Sequence, residues 1–237
     1  MRSEGSALVT ALIFDMDGLL VDSEPFAEAA MRSFLRRYGH ELSDDVSDRL
    51  LGRRVPEAIA YVTERYGLVD DLAELNSIYN DLRLAAIRGN LRPLPGSAEL
   101  IAFGRESGLR LALATSNMRE HVDLSLTETA LAGLFDAEAT GDEVERGKPE
   151  PDIFLLAAAR LGVSPEECVV LEDSPAGITA AKSAGMRALW VPQIRIGTGL
   201  PEPPTPPDAT LPDLLQAIPW LRERGVGHVS PDSLMEN

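Results

Sequence analysis

The chain alternates apolar stretches of strand length with segments that have the spacing of helices. Four apolar runs stand out, at residues 8–14, 109–114, 168–171 and 187–191. Helix-like segments lie between or beside the later runs, at residues 97–107, 119–130, 151–161 and 175–184. Strands without polar alternation that alternate with helices are typical of a parallel sheet covered on both faces. The pattern therefore predicts an α/β protein with a doubly wound parallel sheet, and a shorter fifth strand near residues 135–139.

The alternation fails between residues 24 and 91, where the pattern is helical throughout, at residues 25–38, 56–66 and 70–88. A helical block that follows the first strand of such a series predicts an inserted lid. We therefore predict a Rossmann-like α/β core of residues 1–22 and 92–224, with an inserted α-helical cap domain of residues 23–91. The Pro- and Gly-rich residues 197–212 predict a loop before a last helix at residues 213–224, and residues 225–237 predict a flexible tail.

Charge and composition exclude several classes of partner. The 237 residues include 22 Lys and Arg against 38 Asp and Glu, a formal net charge of −16, which argues against nucleic acid or an anionic membrane as a partner. No apolar stretch has the length of a membrane span, and no cleavage site follows the first apolar run. We expect a soluble cytoplasmic protein that is a monomer or weak dimer. Its single cysteine, Cys168, begins an apolar run and is expected to be a buried, inert thiol.

Polar residues follow three of the predicted strands directly. They are Asp15-Met16-Asp17-Gly18, Thr115-Ser116-Asn117 and Glu172-Asp173-Ser174. The carboxyl ends of parallel strands face one crevice, which is where such sheets bind ligands. Helix capping by Ser23, Asn117 and Ser174 would explain single polar residues there. It does not explain four carboxylates at two neighbouring strand ends, because their mutual repulsion would destabilise the fold.

A hard divalent cation would remove this repulsion. Mg²⁺ prefers oxygen ligands, retains several waters, and is usually held by one or two carboxylates together with substrate phosphate. The sequence therefore predicts a Mg²⁺ site at these strand ends. Lys148, in Gly147-Lys148-Pro149, is the candidate for a fixed positive charge beside it, although a lone lysine is more often a surface residue.

Taken together, these residues resemble the four motifs of the haloacid dehalogenase superfamily. The motifs are Asp15-x-Asp17-Gly18, Thr115 after an apolar strand, Lys148-Pro149, and Glu172-Asp173-Ser174, and the resemblance covers about residues 8–192. The longer sequence segments around these motifs are DMDGLLVDSE, GKPEPDIF and LEDSPAGI. They are similar to those of the beta-phosphoglucomutase-like subgroup, whose members carry a helical cap after the first strand. The resemblance implies Mg²⁺-dependent phosphoryl transfer from a small phosphorylated metabolite through an aspartyl-phosphate.

The resemblance also implies a role for each motif residue. Asp15 would be the nucleophile, and Asp17 would protonate the leaving alcohol and then take a proton from the attacking water. Thr115 and the backbone N–H groups near Ser116 and Asn117 would bind the phosphoryl oxygens, and Lys148 would offset negative charge. The Mg²⁺ ligands would be Asp15, Asp173 and the backbone carbonyl of Asp17. Glu172 would support these direct ligands or bind the ion through a water molecule.

The sequence disfavours several alternatives within and outside this family. Dehalogenases lack an acid at the position of Asp17, and phosphonatases need a cap lysine, which residues 23–91 do not contain. A sugar-phosphate mutase stays the alternative to a phosphatase, although the cap histidine and lysine that serve beta-phosphoglucomutase are missing. A non-enzymatic phospho-receiver or binding module is disfavoured, because receivers carry the acceptor aspartate on a later strand and lack a helical insert of this size.

Outside the motifs the sequence leaves more open. Arg53 and Arg54 lie in a turn before a cap helix, either as a solvated pair or as part of a loop that binds the substrate's leaving group. Residues without motif context, expected to be structural or exposed, are Tyr38, His40, His121 and His228.

Overall fold

The computed structural model describes residues 8–50, 53–192 and 202–227. Within these residues the strands are β1 (Ala11–Phe14), β2 (Arg110–Ala114), β3 (Ala137–Ala139), β4 (Cys168–Glu172), β5 (Arg187–Trp190) and β6 (Ala209–Thr210). They form one sheet in the order β3-β2-β1-β4-β5-β6, and every pairing is parallel. At its centre Ile13 of β1 pairs with Ala112 on one side and Val170 on the other. The predicted doubly wound parallel sheet is confirmed.

Helices come from two parts of the chain. Those between β1 and β2 are α1 (Glu24–Arg37), α2 (Asp44–Leu50), α3 (Val55–Tyr66), α4 (Leu72–Ile87) and α5 (Ser97–Glu106). Those after β2 are α6 (Arg119–Glu128), α7 (Asp152–Leu161), α8 (Pro175–Ser183) and α9 (Ala217–Arg222). None of these helices is long and apolar enough to cross a membrane, a finding that covers the described residues only.

The sheet buries both of its faces, which explains why the central strand β1 is apolar throughout. Leu12 and Phe14 belong to the apolar cluster on one face, and Ala11 and Ile13 to the cluster on the other. All four side chains are fully buried. Successive side chains of a strand point to opposite faces, so a strand buried on both sides cannot alternate with polar residues.

Helices α1 to α4 have an apolar cluster of their own. Phe34 of α1 is fully buried and packs edge-on against Tyr79 of α4, with ring centroids 5.8 Å apart. The chain enters and leaves this helical insert through two segments that lie side by side. The Asp22 N–H donates to the Arg92 carbonyl at 3.1 Å, and the Leu94 N–H donates to the Leu20 carbonyl at 2.8 Å.

Several predicted bounds were wrong. β1 begins at Ala11 rather than at residue 8, and Leu8 is two-thirds exposed. Helix α2 was not predicted, because it is a short acidic segment in which Val46 alone is buried. β6 lies in the described part of the predicted loop, residues 202–212, while residues 197–201 fall outside the description.

The C-terminal part of the chain also differs from the prediction. The last helix begins as a 3₁₀ turn at Leu214–Gln216 and becomes α-helical only from Ala217. Val226, placed by the sequence in the tail, is buried in the cluster on the β1 Leu12 face. Residues 228–237 of the predicted flexible tail, with His228, lie outside the described residues.

Candidate active site

A tight turn after β1 brings two strand ends together. Asp15 follows β1, and its N–H donates to the Leu171 carbonyl of β4 at 3.1 Å. Gly18, in the turn beyond, has φ +71°, and a Cβ at this position would lie 2.2 Å from Asp173 Oδ2. A glycine here therefore allows both the left-handed turn and the close approach of Asp173.

Lys148 lies buried at the junction of three strands. Its Nζ donates to Asp15 Oδ1 and to Glu172 Oε1, both at 2.5 Å, and to the Ala114 carbonyl at 3.3 Å. Burial alone would lower the pKa of Lys148, but the charges of Asp15 and Glu172 outweigh it and raise the pKa above its usual value. The structure thus places a permanently charged ammonium beside the predicted nucleophile.

Glu172 is held by donors from the protein on several sides. Besides Lys148, the N–H and Oγ of Ser174 donate to its Oε2 at 2.7 and 2.9 Å. Ser174 Oγ in turn accepts from the Gly177 N–H and caps α8. A Cβ at residue 177 would lie 1.8 Å from Glu172 Oε1, so the first turn of α8 packs directly on this carboxylate. Glu172 is therefore fixed in place, with Lys148 as its charged partner.

Three carboxylates at the strand ends suit a divalent cation. Oxygens of Asp15, Glu172 and Asp173 all lie within 4.8 Å of one another. Burial raises the pKa of Asp15 and of Asp173 well above the ordinary value, and the nearby charge of Glu172 adds to both shifts. Lys148 alone does not balance three carboxylates, so the ionised forms call for further positive charge. An all-oxygen donor set of this kind fits Mg²⁺.

The carboxylate of Asp17 belongs to a separate hydrogen-bond network. Its Oδ1 accepts from Ser23 Oγ, and its Oδ2 accepts from Asn117 Nδ2. The Asn117 N–H donates to Oγ1 of the fully buried Thr115 at 3.3 Å. Ser116 is packed so closely that a Cβ at Gly141 would lie 2.1 Å from its carbonyl oxygen. The residues after β2 therefore form a closely packed loop that contacts Asp17 through Asn117.

Arg83 is a member of this network that the sequence analysis missed. It lies on α4 and donates from a terminal nitrogen to Asn117 Oδ1 at 2.8 Å, with 8% of its surface exposed. His121 lies nearby, where burial and the charge of Arg83 lower its pKa to about 3, so it is neutral and structural. A single arginine in a helical segment carries no motif, and no feature of the sequence distinguishes it from the other cap arginines.

A cavity of about 320 Å³ lies between the helical insert and the strand ends. The core residues among those that line it include Asp15, Asp17, Thr115, Ser116, Asn117, Lys148, Glu172 and Asp173. The charged residues of the insert that line it are Glu24, Glu28, Asp48, Arg53 and Arg83. The structure thus brings the predicted motif residues together around one space that a small molecule could enter.

The two neighbouring arginines of the insert separate. Arg53 lines the cavity, and its Nε donates to the Arg49 carbonyl at 2.7 Å. Arg54 instead donates to Glu57 at 2.8 Å and to the carbonyls of residues 144 and 145 at 3.3 and 3.4 Å. A Cβ at Gly147 would lie 2.6 Å from Arg54 Nε. Arg54 therefore packs on the loop that carries Lys148, and the structure does not bring it to the cavity with the other predicted substrate-binding residues.

Three further residues that the sequence predicts to be structural or inert lie in the described part of the chain and pack as expected. Cys168 is buried, and burial raises its pKa to about 12. Tyr38 packs against Phe34 with ring centroids 5.3 Å apart, and His40 packs against Tyr66 at 5.0 Å.

Comparison with known proteins gives matches over most of the chain. The family model for haloacid dehalogenase-like hydrolases matches residues 12–191. The phosphorylated carbohydrates phosphatase of Thermotoga maritima is 36% identical over 180 residues, which cover 76% of this chain and 83% of that protein. Among solved structures, CbbY from Rhodobacter sphaeroides in complex with phosphate has a TM-score of 0.76 and 28% identity, covering 88% of this chain and 96% of that one.

A mutase structure is also among those with the same fold. Beta-phosphoglucomutase from Clostridium difficile has a TM-score of 0.79, covering 92% of this chain and 97% of that one. Its identity to this chain is 22%, so the likeness is one of fold alone.

Proposed function

Because the chain belongs to the haloacid dehalogenase-like hydrolase family and is a phosphatase within it, we propose that it hydrolyses a small phosphorylated metabolite, such as a sugar phosphate, with Mg²⁺ and with Asp15 as the nucleophile. One observation carries this proposal: the buried Lys148 pairs with Asp15 and Glu172 in the wall of the cavity. The volume of the cavity, about 320 Å³, lies at the lower end of the range for ligand pockets.

The residues that would hold Mg²⁺ are the carboxylates of Asp15 and Asp173 and the backbone carbonyl of Asp17. When bound, the ion favours the ionised form of Asp15 and offsets charge on the phosphoryl group. Glu172 is held by Lys148 and Ser174, and it serves to keep the lysine in place.

Hydrolysis proceeds in two steps in this proposal. A carboxylate oxygen of Asp15 attacks phosphorus while the bond to the leaving alcohol breaks, and Asp17 gives that alcohol its proton. Asp17, now ionised, takes a proton from the water that attacks the phosphoaspartate, and phosphate leaves as Asp15 is regenerated. Thr115 and Ser116 bind the phosphoryl oxygens, and Lys148 offsets their charge. Asn117 positions Asp17, since its side chain bridges that carboxylate and Arg83.

The charges of the insert favour hydrolysis over the mutase alternative. A mutase must hold an intermediate that carries two phosphates, and so needs a cationic site away from the strand ends. The insert lines the cavity with the carboxylates of Glu24, Glu28 and Asp48 against two arginines. Of these two, Arg83 donates to Asn117. Glu28 is paired with Arg32, so a second phosphate would meet Arg53 beside the carboxylates of Glu24 and Asp48.

Phosphate release from a panel of phosphorylated metabolites and from p-nitrophenyl phosphate tests the proposal. We expect many turnovers with Mg²⁺ present, loss of turnover with a chelator, and recovery when Mg²⁺ is restored in excess. A receiver or binding module would release at most one equivalent of phosphate. Conversion of a sugar 1-phosphate to its 6-phosphate isomer without phosphate release would favour the mutase and contradict the proposal.

The separation of Arg53 and Arg54 predicts different kinetic effects. Arg53→Ala should raise KM for the best metabolite about tenfold or more, because a lost hydrogen bond to a charged group costs roughly 1.5–3 kcal/mol. KM for p-nitrophenyl phosphate, whose leaving group lacks the hydroxyl groups of a sugar, should change little. Arg54→Ala is the matched control, and the ratio of its KM values for the two substrates should equal that of the wild type. Equal losses on both substrates for Arg53→Ala would show that Arg53 supports the fold instead.

A further inference from the structure

Arg83 is a buried cation of the insert whose hydrogen bond reaches the core. Its guanidinium donates to Asn117 Oδ1 at 2.8 Å, across a sequence separation of 34 residues. The Arg83 Cζ lies 6.0 Å from the ring centroid of Tyr79, one turn earlier on α4. Burying an arginine is costly unless its donors and charge are satisfied. Among the described residues, the hydrogen-bond partner of this guanidinium is a neutral amide, so a structural ion pair with one of them does not explain its position.

The bond to Arg83 determines which way the amide of Asn117 faces. A guanidinium can only donate, so the amide oxygen must face Arg83 and the NH₂ group must face Asp17. The reversed amide would bring its oxygen against the carboxylate of Asp17 and its NH₂ against the guanidinium. Both contacts would be repulsive.

Asn117 and Ser23 together hold both oxygens of Asp17. Ser23 donates to Oδ1 from the connection into α1, and Asn117 donates to Oδ2 from the loop after β2. Arg83 of the insert donates to the same Asn117 side chain, so the insert contacts Asp17 through this amide. We infer that Arg83 is a positioning residue for the acid–base chemistry of Asp17, acting through Asn117 and engaged by closure of the insert.

This inference rests on the proposed phosphatase function and predicts a specific kinetic signature. A misplaced general acid slows the cleavage of esters whose leaving group needs a proton, and hardly slows those whose leaving group departs as a stable anion. The dependence of kcat/KM on the leaving-group pKa therefore reports the position of Asp17, because kcat/KM covers the step that expels the alcohol. A residue that merely supports the fold or binds phosphate would lower kcat/KM by one factor for all esters.

The experiment compares a series of aryl phosphates, from p-nitrophenyl to unsubstituted phenyl phosphate, together with an alkyl phosphate. Arg83→Met keeps the length of the side chain and removes its donors. We expect kcat/KM to fall roughly ten- to a hundredfold on the alkyl ester and by less than about threefold on the p-nitrophenyl ester, giving a steeper leaving-group dependence. Arg88→Met, at an exposed residue directly after the same helix, should keep the slope of the wild type.

Two further variants establish that Asn117 transmits the effect. Asn117→Ala should steepen the dependence as Arg83→Met does, and the double variant should show no further steepening, since the two residues act in series. Asp17→Asn supplies the limit in which the acid is absent. Thermal unfolding of each variant shows that the protein compared is folded.

Clear outcomes would overturn the inference. An unchanged slope in folded Arg83→Met, whether kcat/KM is kept or falls uniformly, would show that Arg83 does not position Asp17. If Arg83→Met does not fold, Arg83→Lys is used, and its shorter reach predicts an intermediate slope, so a slope equal to that of the wild type overturns the inference. A wild type that cleaves no ester overturns the proposed function and this inference together. If the wild type cleaves all of the esters, the proposed function holds, and the slopes of the variants test the role of Arg83 by itself.

Discussion

Asp15→Asn is expected to abolish phosphate release, with kcat lowered by roughly 10⁴-fold or more, because an amide cannot act as the nucleophile. The substitution removes one negative charge from the site. Because Lys148 contacts both Asp15 and Glu172, its ammonium group keeps one carboxylate partner in the amide variant. Release of phosphate from p-nitrophenyl phosphate, followed over hours, measures the residual rate.

The same variant should keep the fold, which separates loss of chemistry from loss of structure. Burial raises the pKa of Asp15 in the folded protein, so above the unfolded-state pKa the ionised carboxylate reduces the free energy of unfolding. A neutral amide of equal size removes that cost, and the melting temperature in chelator should be unchanged or higher. Asp123→Asn, at an exposed residue of α6, is the matched control and should keep full activity. Turnover of Asp15→Asn clearly above the buffer blank would overturn the nucleophile assignment.

Most of the sheet could be predicted because its strands are buried on both faces. In the strand Cys168–Glu172, four apolar residues precede the charged Glu172, a contrast that any hydropathy pattern reveals. β6 could not be predicted in this way, because two residues at the sheet edge, one exposed, leave no periodicity. Helix α2 was missed for a related reason, since Val46 is its one buried side chain.

In the candidate site, the residues that belong to motifs could likewise be predicted, whereas those that are placed by packing could not. Asp15 and Lys148 lie 133 residues apart, and their contact was expected because both belong to motifs that resemble those of one family. Arg53 and Arg54 are adjacent and chemically identical, and only the start of α3 at Val55 determines which of them faces the cavity. Arg83 is placed by the docking of α4 on the core, which no local pattern in the sequence records.

Asp17→Asn is expected to lower kcat/KM for a sugar phosphate by about 10²–10⁴-fold, the usual contribution of general acid–base catalysis. An asparagine has the same shape, and its side-chain oxygen can still accept from Ser23 or Asn117, so the network that surrounds it should survive. It has no proton to give to a leaving alkoxide. The loss should be smaller for p-nitrophenyl phosphate, whose leaving group is a stable anion, and parallel assays of the two esters measure the difference.

Binding of Mg²⁺ tests whether the side chain of Asp17 takes part in acid–base chemistry without also being a metal ligand. The carboxylate oxygens that cluster are those of Asp15, Glu172 and Asp173, while the carboxylate of Asp17 is bonded to Ser23 and Asn117. If Asp17 offers the metal only its backbone carbonyl, calorimetric titration with Mg²⁺ should give the same affinity for Asp17→Asn as for the wild type. Asp173→Asn, the matched substitution, removes a carboxylate from the cluster and should weaken Mg²⁺ binding severely. Comparable losses of affinity in the two variants would contradict this division of roles, because the side chain of Asp17 would then belong to the metal site.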